Sequence, residues 1–311
     1  MKVEVRALVE ADLAAARICN RAAFSAFLGI PDPNAFRPGA DVVGPRWRAW
    51  PEGAVALDVD GELAAAGLMM DWGSVCILGP VMVAPEYWNQ GFARRMMAAL
   101  VERVGGRDFA LTGLFTHPQS PTHIRLYEKF DFVMQRITAI MEKIPDERDA
   151  PAGLAFYSEV EDKAGALESM RALTHEIQPG LDLRREVDSV AEGTLGDTLM
   201  LHDKRGLAGF AVCHRGTGSE ASEAQLLVKF AVAASGANAP LSFMRLLSAI
   251  ESYAGRRGLG KVIAGTNTGR SQAYRIMQEA GYRTVTNGVA MMRPASEGYN
   301  RPEIFVIDDW R

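Results

Sequence analysis

The segment from Val81 to Val104 carries residue types suited to binding an anion. An apolar run leads to Pro85, then to a turn with Gly91 and Ala93, and then to apolar residues at helical spacing. The first amide groups of a helix lack partners within the helix, and the helix dipole puts partial positive charge there. Small residues let a ligand approach the backbone. The segment therefore predicts a strand, a loop and a helix whose N-terminus binds a phosphate-like group.

Two arginines, Arg94 and Arg95, stand in the first turn of this predicted helix. Cations oppose the helix dipole at that end, so a diphosphate bound there would account for them. The alternative interpretation is a solvated helix face.

In this segment the chain resembles the GNAT N-acetyltransferase superfamily, whose pyrophosphate motif reads Q/R-x-x-G-x-G/A after a strand ending V-x-V-x-P. The matching positions are Val81, Val83 and Pro85, followed by Trp88, Gly91 and Ala93. Trp88 departs from the motif, because the family usually has Gln or Arg there. Since the loop acts mainly through main-chain N–H groups, we expect binding to survive with the loss of a polar side-chain contact.

The resemblance implies that acetyl-CoA is the co-substrate. Before the loop, Gly79 and Pro80 interrupt the strand, and a proline lacks a ladder donor. In the family, splaying at this point frees backbone groups around Met82 and Val83 to bond the pantetheine arm. The residues expected to contact the cofactor are Val81, Met82, Val83, Trp88, Asn89, Gln90, Gly91, Phe92, Ala93, Arg94 and Tyr127.

The segment from Ser120 to Phe132 resembles the family pattern N-x-x-A-x-x-L-Y-x-x-x-G-F. Leu126, Tyr127 and Phe132 match it, whereas Ser120, His123 and Asp131 replace Asn, Ala and Gly. In the family, the tyrosine at this position lies near the thioester sulfur and can protonate the leaving thiolate. The resemblance therefore implies that Tyr127 is the general acid. The alternative is a helix tyrosine that only packs on the sheet.

A general base is less evident from the sequence. The strand from Cys76 to Val83 carries no carboxylate, although many family members place a glutamate there. The candidates are His117, just past the next predicted strand, and Asp71; either could instead be a surface or turn residue. Water or the substrate's own pKa could also suffice.

The elements that position these residues predict a mixed α/β fold. The first half reads as strand, helix, three strands, helix, strand, helix and strand, with an Asp-Gly hairpin turn at Asp58–Glu62. A polar stretch over residues 144–153 reads as a linker, and the same order of elements then recurs. The predicted fold is two tandem GNAT-like domains, over residues 1–145 and 152–311, each a mixed, mostly antiparallel, splayed sheet flanked by helices.

A divergent internal repeat supports the tandem organisation. Arg125-Leu126-Tyr127 aligns with Arg275-Ile276-Met277, and Phe132 aligns with Tyr282, at one offset of 150 residues. A constant offset shared with the same order of elements favours duplication over chance.

The second half is expected to have lost acetyl-CoA chemistry. Its counterpart of the phosphate loop, residues 231–247, has no G-x-G/A at the turn, and Pro240 removes one amide hydrogen. Met277 stands at the tyrosine position and cannot donate a proton. Tyr274 lies one turn earlier, so a displaced acid is conceivable.

Composition bounds the remaining possibilities. The 311 residues favour two domains, and a formal charge of −4 gives no basic face for nucleic acid. No apolar run approaches the roughly 20 residues of a membrane span, and the N-terminus does not resemble a secretory signal, so we expect a cytoplasmic protein.

The three cysteines and the histidines lack metal-ligand spacing, so no metal site is expected. Trp47 and Trp50 either pack in the core or line an acceptor pocket, and a homodimer is possible.

The leading hypothesis is direct transfer of an acetyl group from acetyl-CoA to an amine. The alternative is a non-catalytic protein that binds or senses acyl-CoA, motivated by Trp88 and by the missing carboxylate base. A nucleotide-binding protein is disfavoured, because neither GxGxxG nor GxxxxGK[ST] occurs.

Overall fold

The computed structural model describes residues 1–146, 149–308 and 310–311. The elements of the first half are β1 (Val3–Ala7), α1 (Leu13–Leu28), α2 (Val43–Ala49), β2 (Val55–Val59), β3 (Glu62–Trp72), β4 (Val75–Val83), α3 (Phe92–Gly105), β5 (Leu111–Thr116), α4 (Pro121–Glu128) and β6 (Val133–Lys143). Those of the second half are β7 (Leu154–Phe156), α5 (Lys163–His175), α6 (Arg184–Glu192), β8 (Gly196–Asp203), β9 (Gly206–Arg215), β10 (Gln225–Ala233), α7 (Ala239–Arg256), β11 (Lys261–Asn267), α8 (Ser271–Glu279), β12 (Arg283–Arg293) and β13 (Val306–Asp308).

The two halves share one continuous sheet rather than forming two separate ones. Its strand order is β1-β2-β3-β4-β5-β12-β6-β11-β10-β9-β8-β7, and β13 pairs with β10. Each half therefore exchanges its last long strand: β12 lies on β5 of the first half, and β6 lies on β11 of the second half. The exchanged strands pair antiparallel at the centre of the sheet. The mixed, mostly antiparallel fold of the sequence prediction is confirmed, whereas the merging of the two sheets was not predicted.

The repeat is visible in the bounds of the elements. Strands β4 and β10 begin at residues 75 and 225 and end at residues 83 and 233, an offset of 150 residues. Strands β6 and β12 show the same offset at both ends. The tandem organisation read from the sequence is confirmed.

Helices cover both faces of the sheet in each half. In the first half, α1 packs on Ala56, Ala66 and Leu68 of one face, whereas α3 packs on Leu57, Ala65 and other residues of the opposite face. Successive side chains of a strand point to opposite faces, which explains this division. Consequently, a ligand between two strands of this sheet can be approached from an α1 face and from an α3 and α4 face.

Buried charges join the halves. Arg46 of α2 is almost fully buried and donates two bonds to Glu220, at 2.7 and 2.6 Å, while Lys229 donates to the same carboxylate at 2.7 Å. Burial alone would raise the pKa of Glu220, but these two cations hold it well below its usual value. In the same direction, Trp72 of the first half donates to Glu186 of the second at 3.1 Å.

Two helices and one strand were not predicted. The sequence pattern predicts no element at residues 43–49, where α2 forms, and none for α6 or β13. Trp50 is 2% exposed and the Trp47 indole donates to the carbonyl of Leu8, so both tryptophans pack against the rest of the first half. The predicted hairpin turn is confirmed, because Asp60 and Gly61 both have positive φ angles, as a primed turn requires.

Among the residues that the structure describes, no helix has the length and apolar character needed to cross a bilayer.

Candidate functional site

A slot opens in the first half where two parallel strands separate. Strands β4 and β5 pair from Val75 and Leu111 to Leu78 and Leu114, and the ladder stops there. Beyond it, β4 pairs only with β3, and β5 pairs only with β12. The ladder stops just before Gly79 and Pro80, where the sequence predicted a break.

Residues of β4 alternate between the β3 ladder and the slot. The amide of Ala84 donates to Ala64 on β3 at 2.9 Å, so alternation turns the backbone of Met82 toward β3 as well. The backbone groups of Val81 and Val83 therefore face the slot. Met82 departs from the expectation that its backbone contacts the cofactor, because its main chain belongs to the β3 ladder and its side chain packs against α1.

Trp88 reaches back to the same strand. Its indole N–H donates to the carbonyl of Val83 at 2.7 Å, and 39% of the residue is exposed. The departure from the family motif thus has a structural consequence. The indole, rather than a glutamine or arginine side chain, lies over the wall of the slot.

The loop after β4 presents a row of backbone donors. Asn89 and Gly91 adopt left-handed φ angles of 61° and 81°, and Gly91 is the N-cap of α3. Within the part of the chain that the structure describes, no amide of residues 89–94 donates to a protein acceptor, and the first bond of the helix joins the amide of Arg95 to Gly91. Such a row at a helix N-terminus is an anion site. Phe92 contributes only its amide, because its side chain is buried beneath α3.

Tyr127 lies on the α4 face at the end of this slot. Burial of its hydroxyl raises the pKa to about 12, and a hydrogen bond with the Thr116 side chain opposes that shift. Thr116 is the last residue of β5. At neutral pH the phenol therefore keeps its proton beside the slot, as a general acid must.

His117 follows Thr116 and lies on the α1 face. Its ring centre is 5.1 Å from that of Phe27, and the His123 ring is 4.8 Å from the same phenylalanine. Burial lowers the pKa of His117; burial and the neighbouring His117 lower the pKa of His123. Both imidazoles are therefore neutral near pH 7 and can accept a proton. His117 and Tyr127 thus flank the end of β5 on opposite faces.

The other base candidate lies elsewhere. Asp71 sits at the far end of β3, where its carboxylate pairs with Arg185 of the second half at 3.1 Å and accepts from the amide of Gly73. The structure therefore does not bring Asp71 to the slot.

Sequence reasoning missed Arg46 as a residue of the site. Its guanidinium donates to the carbonyl of Gly79 at 2.7 Å, at the start of the slot, and also to Glu220 and to the carbonyl of Arg311. The residue belongs to the unpredicted helix α2. The one signal in the sequence is that Arg46 stands in a short segment without a clear apolar period, which does not by itself indicate a buried arginine.

The corresponding slot of the second half is filled by the chain itself. Strands β10 and β11 also separate after four paired positions, ending at Val228 and Ala264. There β13 enters, with Val306 opposite Val232 and Asp308 opposite Phe230. The hydroxyl of Thr266 donates to the carbonyl of Val306 at 2.9 Å, so β13 is bonded on both sides.

A buried ion pair secures this filling strand. Arg270 donates to Asp308 at 2.6 Å, and the hydroxyl of Tyr299 donates to the same carboxylate at 2.7 Å. All three side chains are buried. An incoming ligand would have to displace both the backbone pairing and this ion pair.

At positions 239–244, which are equivalent to residues 89–94, the described second half lacks the row of donors. The amide of Ala239 is bonded to the carbonyl of Gly236, and Pro240 has no amide hydrogen. Met277 is fully buried in the core beneath α8, and Tyr274 packs partly against the same core. The row of unbonded amides and the tyrosine of the first half thus have no counterpart at these positions.

The first half matches a known family. Residues 23–132 match the family model described as the acetyltransferase (GNAT) family. A search of curated protein sequences finds no match.

Solved structures extend the likeness to the whole chain. A putative acetyltransferase from Pyrococcus horikoshii has a TM-score of 0.70 and 15% identity, covering 99% of this chain and 95% of that one. A GCN5-related N-acetyltransferase from Sphaerobacter thermophilus has a TM-score of 0.61 and 18% identity, covering 93% and 95%. A tandem GNAT protein from the clavulanic acid biosynthesis pathway has a TM-score of 0.56 and 13% identity, covering 94% and 98%. At these identities the likeness shows the fold, which is that of two GNAT units in tandem.

Proposed function

Because residues 23–132 form a domain of the GNAT acetyltransferase family, we propose that the chain transfers an acetyl group from acetyl-CoA to a primary amine of a small molecule or peptide. The family supports acyl transfer in general; the donor and the acceptor class are the proposal. Transfer is direct, without a covalent enzyme intermediate.

Acetyl-CoA binding follows from the row of donors. The pyrophosphate would accept from the amides of residues 89–94, and the pantetheine arm would lie in the slot against the backbone of Val81 and Val83. The thioester would then reach the end of β5. There Tyr127 lies on one face and His117 on the other.

The chemical step uses these two faces. A neutral amine approaches from the α1 face, its nitrogen forms a bond to the thioester carbon, and the carbon–sulfur bond breaks. His117 takes the proton that the nitrogen loses, and Tyr127 gives its proton to the departing thiolate. Solvent restores both groups, so the products are the acetamide and free coenzyme A.

The observation that supports the proposal most strongly is the row of six amides at residues 89–94, none bonded to a protein acceptor, at the N-terminus of α3 beside the slot, because helix N-terminal amides bind anions. Positions 239–244 of the second half, which are equivalent to 89–94, form no such row, because the amides of Ala239 and Ser242 are bonded and Pro240 has no amide hydrogen. The fold alone therefore does not require this feature.

A mass-spectrometric screen tests the proposal. The purified chain is incubated with acetyl-CoA and pooled amines, polyamines, amino acids, aminoglycosides and peptides, and the loss of acetyl-CoA is matched to products heavier by one acetyl group. An acetylated amine that disappears in the Tyr127→Phe protein is the expected result. Tight acetyl-CoA binding without turnover on any pool would instead support a non-catalytic sensor. This alternative is motivated by Trp88, whose indole bonds the carbonyl of Val83 in the slot.

A further inference from the structure

A cavity of about 540 Å³ lies between the two halves, on the sheet face that α1 covers. This volume is within the usual range for small-molecule pockets, roughly 300 to 1,000 Å³. Its floor is aliphatic and comes from four neighbouring strands, with Ile140 of β6, Leu227 of β10, Ile263 of β11 and Val285 of β12. The exchange of β6 and β12 brings these strands together, so neither half alone forms the floor.

The rim of the cavity has both signs of charge. Arg37, Glu223 and Arg311 contribute side chains, and Arg37 donates to the backbone carbonyl of Glu220. The loop carrying Arg37 and the loop carrying Glu223 are joined by the bond from the amide of Glu223 to Pro38 at 3.1 Å. Since the charges are mixed, the aliphatic floor is the feature that selects a ligand.

Strand β12 connects this cavity to the reaction end of the slot. Val289 lies opposite Thr116, and Val285 in the cavity is four residues further along the strand, roughly 13 Å at the usual rise of a strand. On the other side, Phe36 next to Arg37 stacks on Phe24 of α1. Helix α1 also carries Phe27, which contacts His117.

We infer that this cavity binds the body of the acceptor, and that the acceptor is an amine with an apolar, uncharged body. This inference rests on the proposed function and adds the substrate class. The amine end would lie at His117 and the apolar body on the four aliphatic residues. A second ammonium group at the far end would be placed against that floor, where desolvation is costly.

A series of octylamine, decylamine, dodecylamine and tetradecylamine tests the inference, because a shorter chain would not span the roughly 13 Å from the reaction end to Val285. Each methylene that enters the cavity should raise kcat/KM about three- to fourfold, because burying one methylene is worth about 0.8 kcal/mol. The matched diamine, 1,12-diaminododecane, should be a poorer substrate than dodecylamine. A kcat/KM independent of chain length, or a preference for the diamine, would overturn the inference.

Two variants locate the effect. Val285 is 51% exposed and skips the ladder between Thr284 and Thr286, so Val285→Trp fills the cavity at a site that tolerates a larger side chain. In this variant, kcat/KM should no longer rise with the length of the alkyl chain. Leu241 is 56% exposed on α7, and Leu241→Trp is the matched control that should keep the gain. If kcat/KM still rises with chain length in Val285→Trp, the apolar body of the acceptor does not bind in this cavity.

Calorimetry with the same amines separates this inference from the proposed function. Binding that strengthens with chain length, without turnover, would uphold the cavity and refute the transferase. Turnover without dependence on chain length would uphold the transferase and refute the cavity.

Discussion

The two slots of the sheet start from the same geometry and reach opposite states. In each, four paired positions precede the separation of two parallel strands, and a buried threonine follows at equivalent positions 116 and 266. In the first slot the threonine hydroxyl interacts with Tyr127, whereas in the second it bonds to β13. A splayed sheet therefore provides only an opening, and the residues around it decide what fills it.

The source of the filling strand is also informative. Strand β7, the first strand of the second half, pairs with β8 at the edge of the sheet, whereas β13, its last described strand, pairs with β10 within the sheet. The second half thus supplies both an edge strand and the strand that fills its own slot. Four predictions test this contrast, beginning with the largest expected effect.

Gly91→Glu should weaken acetyl-CoA binding on the order of 100- to 1,000-fold, because a carboxylate near a pyrophosphate costs about 4 kcal/mol for close charges near a surface. Gly236→Glu is the matched control in the second half. Both glycines have positive φ and open space around Cβ, so both variants carry similar backbone strain. Calorimetry should show weak binding for the first and unchanged binding for the second; equal loss in both would contradict the assignment of the site.

Tyr127→Phe should lower kcat by roughly 10- to 1,000-fold with little change in acetyl-CoA affinity, as expected for a lost general acid. Tyr274→Phe, in the corresponding helix of the second half, should leave kcat unchanged. Steady-state kinetics on folded proteins decide the matter. If kcat falls in Tyr274→Phe and does not fall in Tyr127→Phe, the general acid belongs to the second half instead.

His117→Asn makes the first half resemble the second, where Asn267 stands at the same place and donates to the carbonyl of Arg136. The expected fall in kcat/KM is about tenfold, below the usual range for a general base, because a deprotonated amine is itself nucleophilic. Burial lowers the pKa of His117 below its ordinary 6.5, so the imidazole is the competent base above that lowered value.

A pH profile gives this prediction its own signature. The ratio of wild-type to His117→Asn kcat/KM cancels the titration of the substrate. It should be constant at neutral pH and fall as the pH drops through a value below 6.5. A ratio of one at neutral pH would show that His117 is not the base.

The smallest effects are expected from the paired threonines. Thr266→Val removes the hydroxyl that holds Val306, and should cost about 1 kcal/mol of unfolding free energy without changing kcat. Thr116→Val should lower kcat severalfold, because the lost hydrogen bond raises the pKa of Tyr127 further and weakens the acid. Chemical denaturation and kinetics on both variants measure the difference; identical behaviour of the pair would argue against distinct roles.

Local patterns explain why much of this fold could be predicted. The apolar alternation of β4 and β10, the helical period of α3 and the turn at Asp60 and Gly61 are set by neighbours in sequence. The loop and helix start at Gly91 could be predicted for the same reason. Gly91 and the helix that follows are contiguous.

The features that escaped prediction depend on partners far away in the sequence. The exchange of β6 and β12 depends on which strand edges meet, and the sequence of either strand alone does not indicate its partner. Strand β13 is only three residues long, and its place is fixed by Thr266 and by the pairing of Asp308 with Arg270. Arg46 reads as a surface arginine until Glu220, 174 residues away, is placed beside it. The cavity, which draws on both halves, could not be read from either.

The stoichiometry of acetyl-CoA binding tests the central claim most directly. Calorimetric titration of the full chain with excess acetyl-CoA, paired with a crystal structure of the saturated protein, should give one molecule per chain. That molecule should lie between β4 and β5, with β13 still in place between β10 and β11. Two molecules per chain, or coenzyme in the second slot with β13 displaced, would contradict the account.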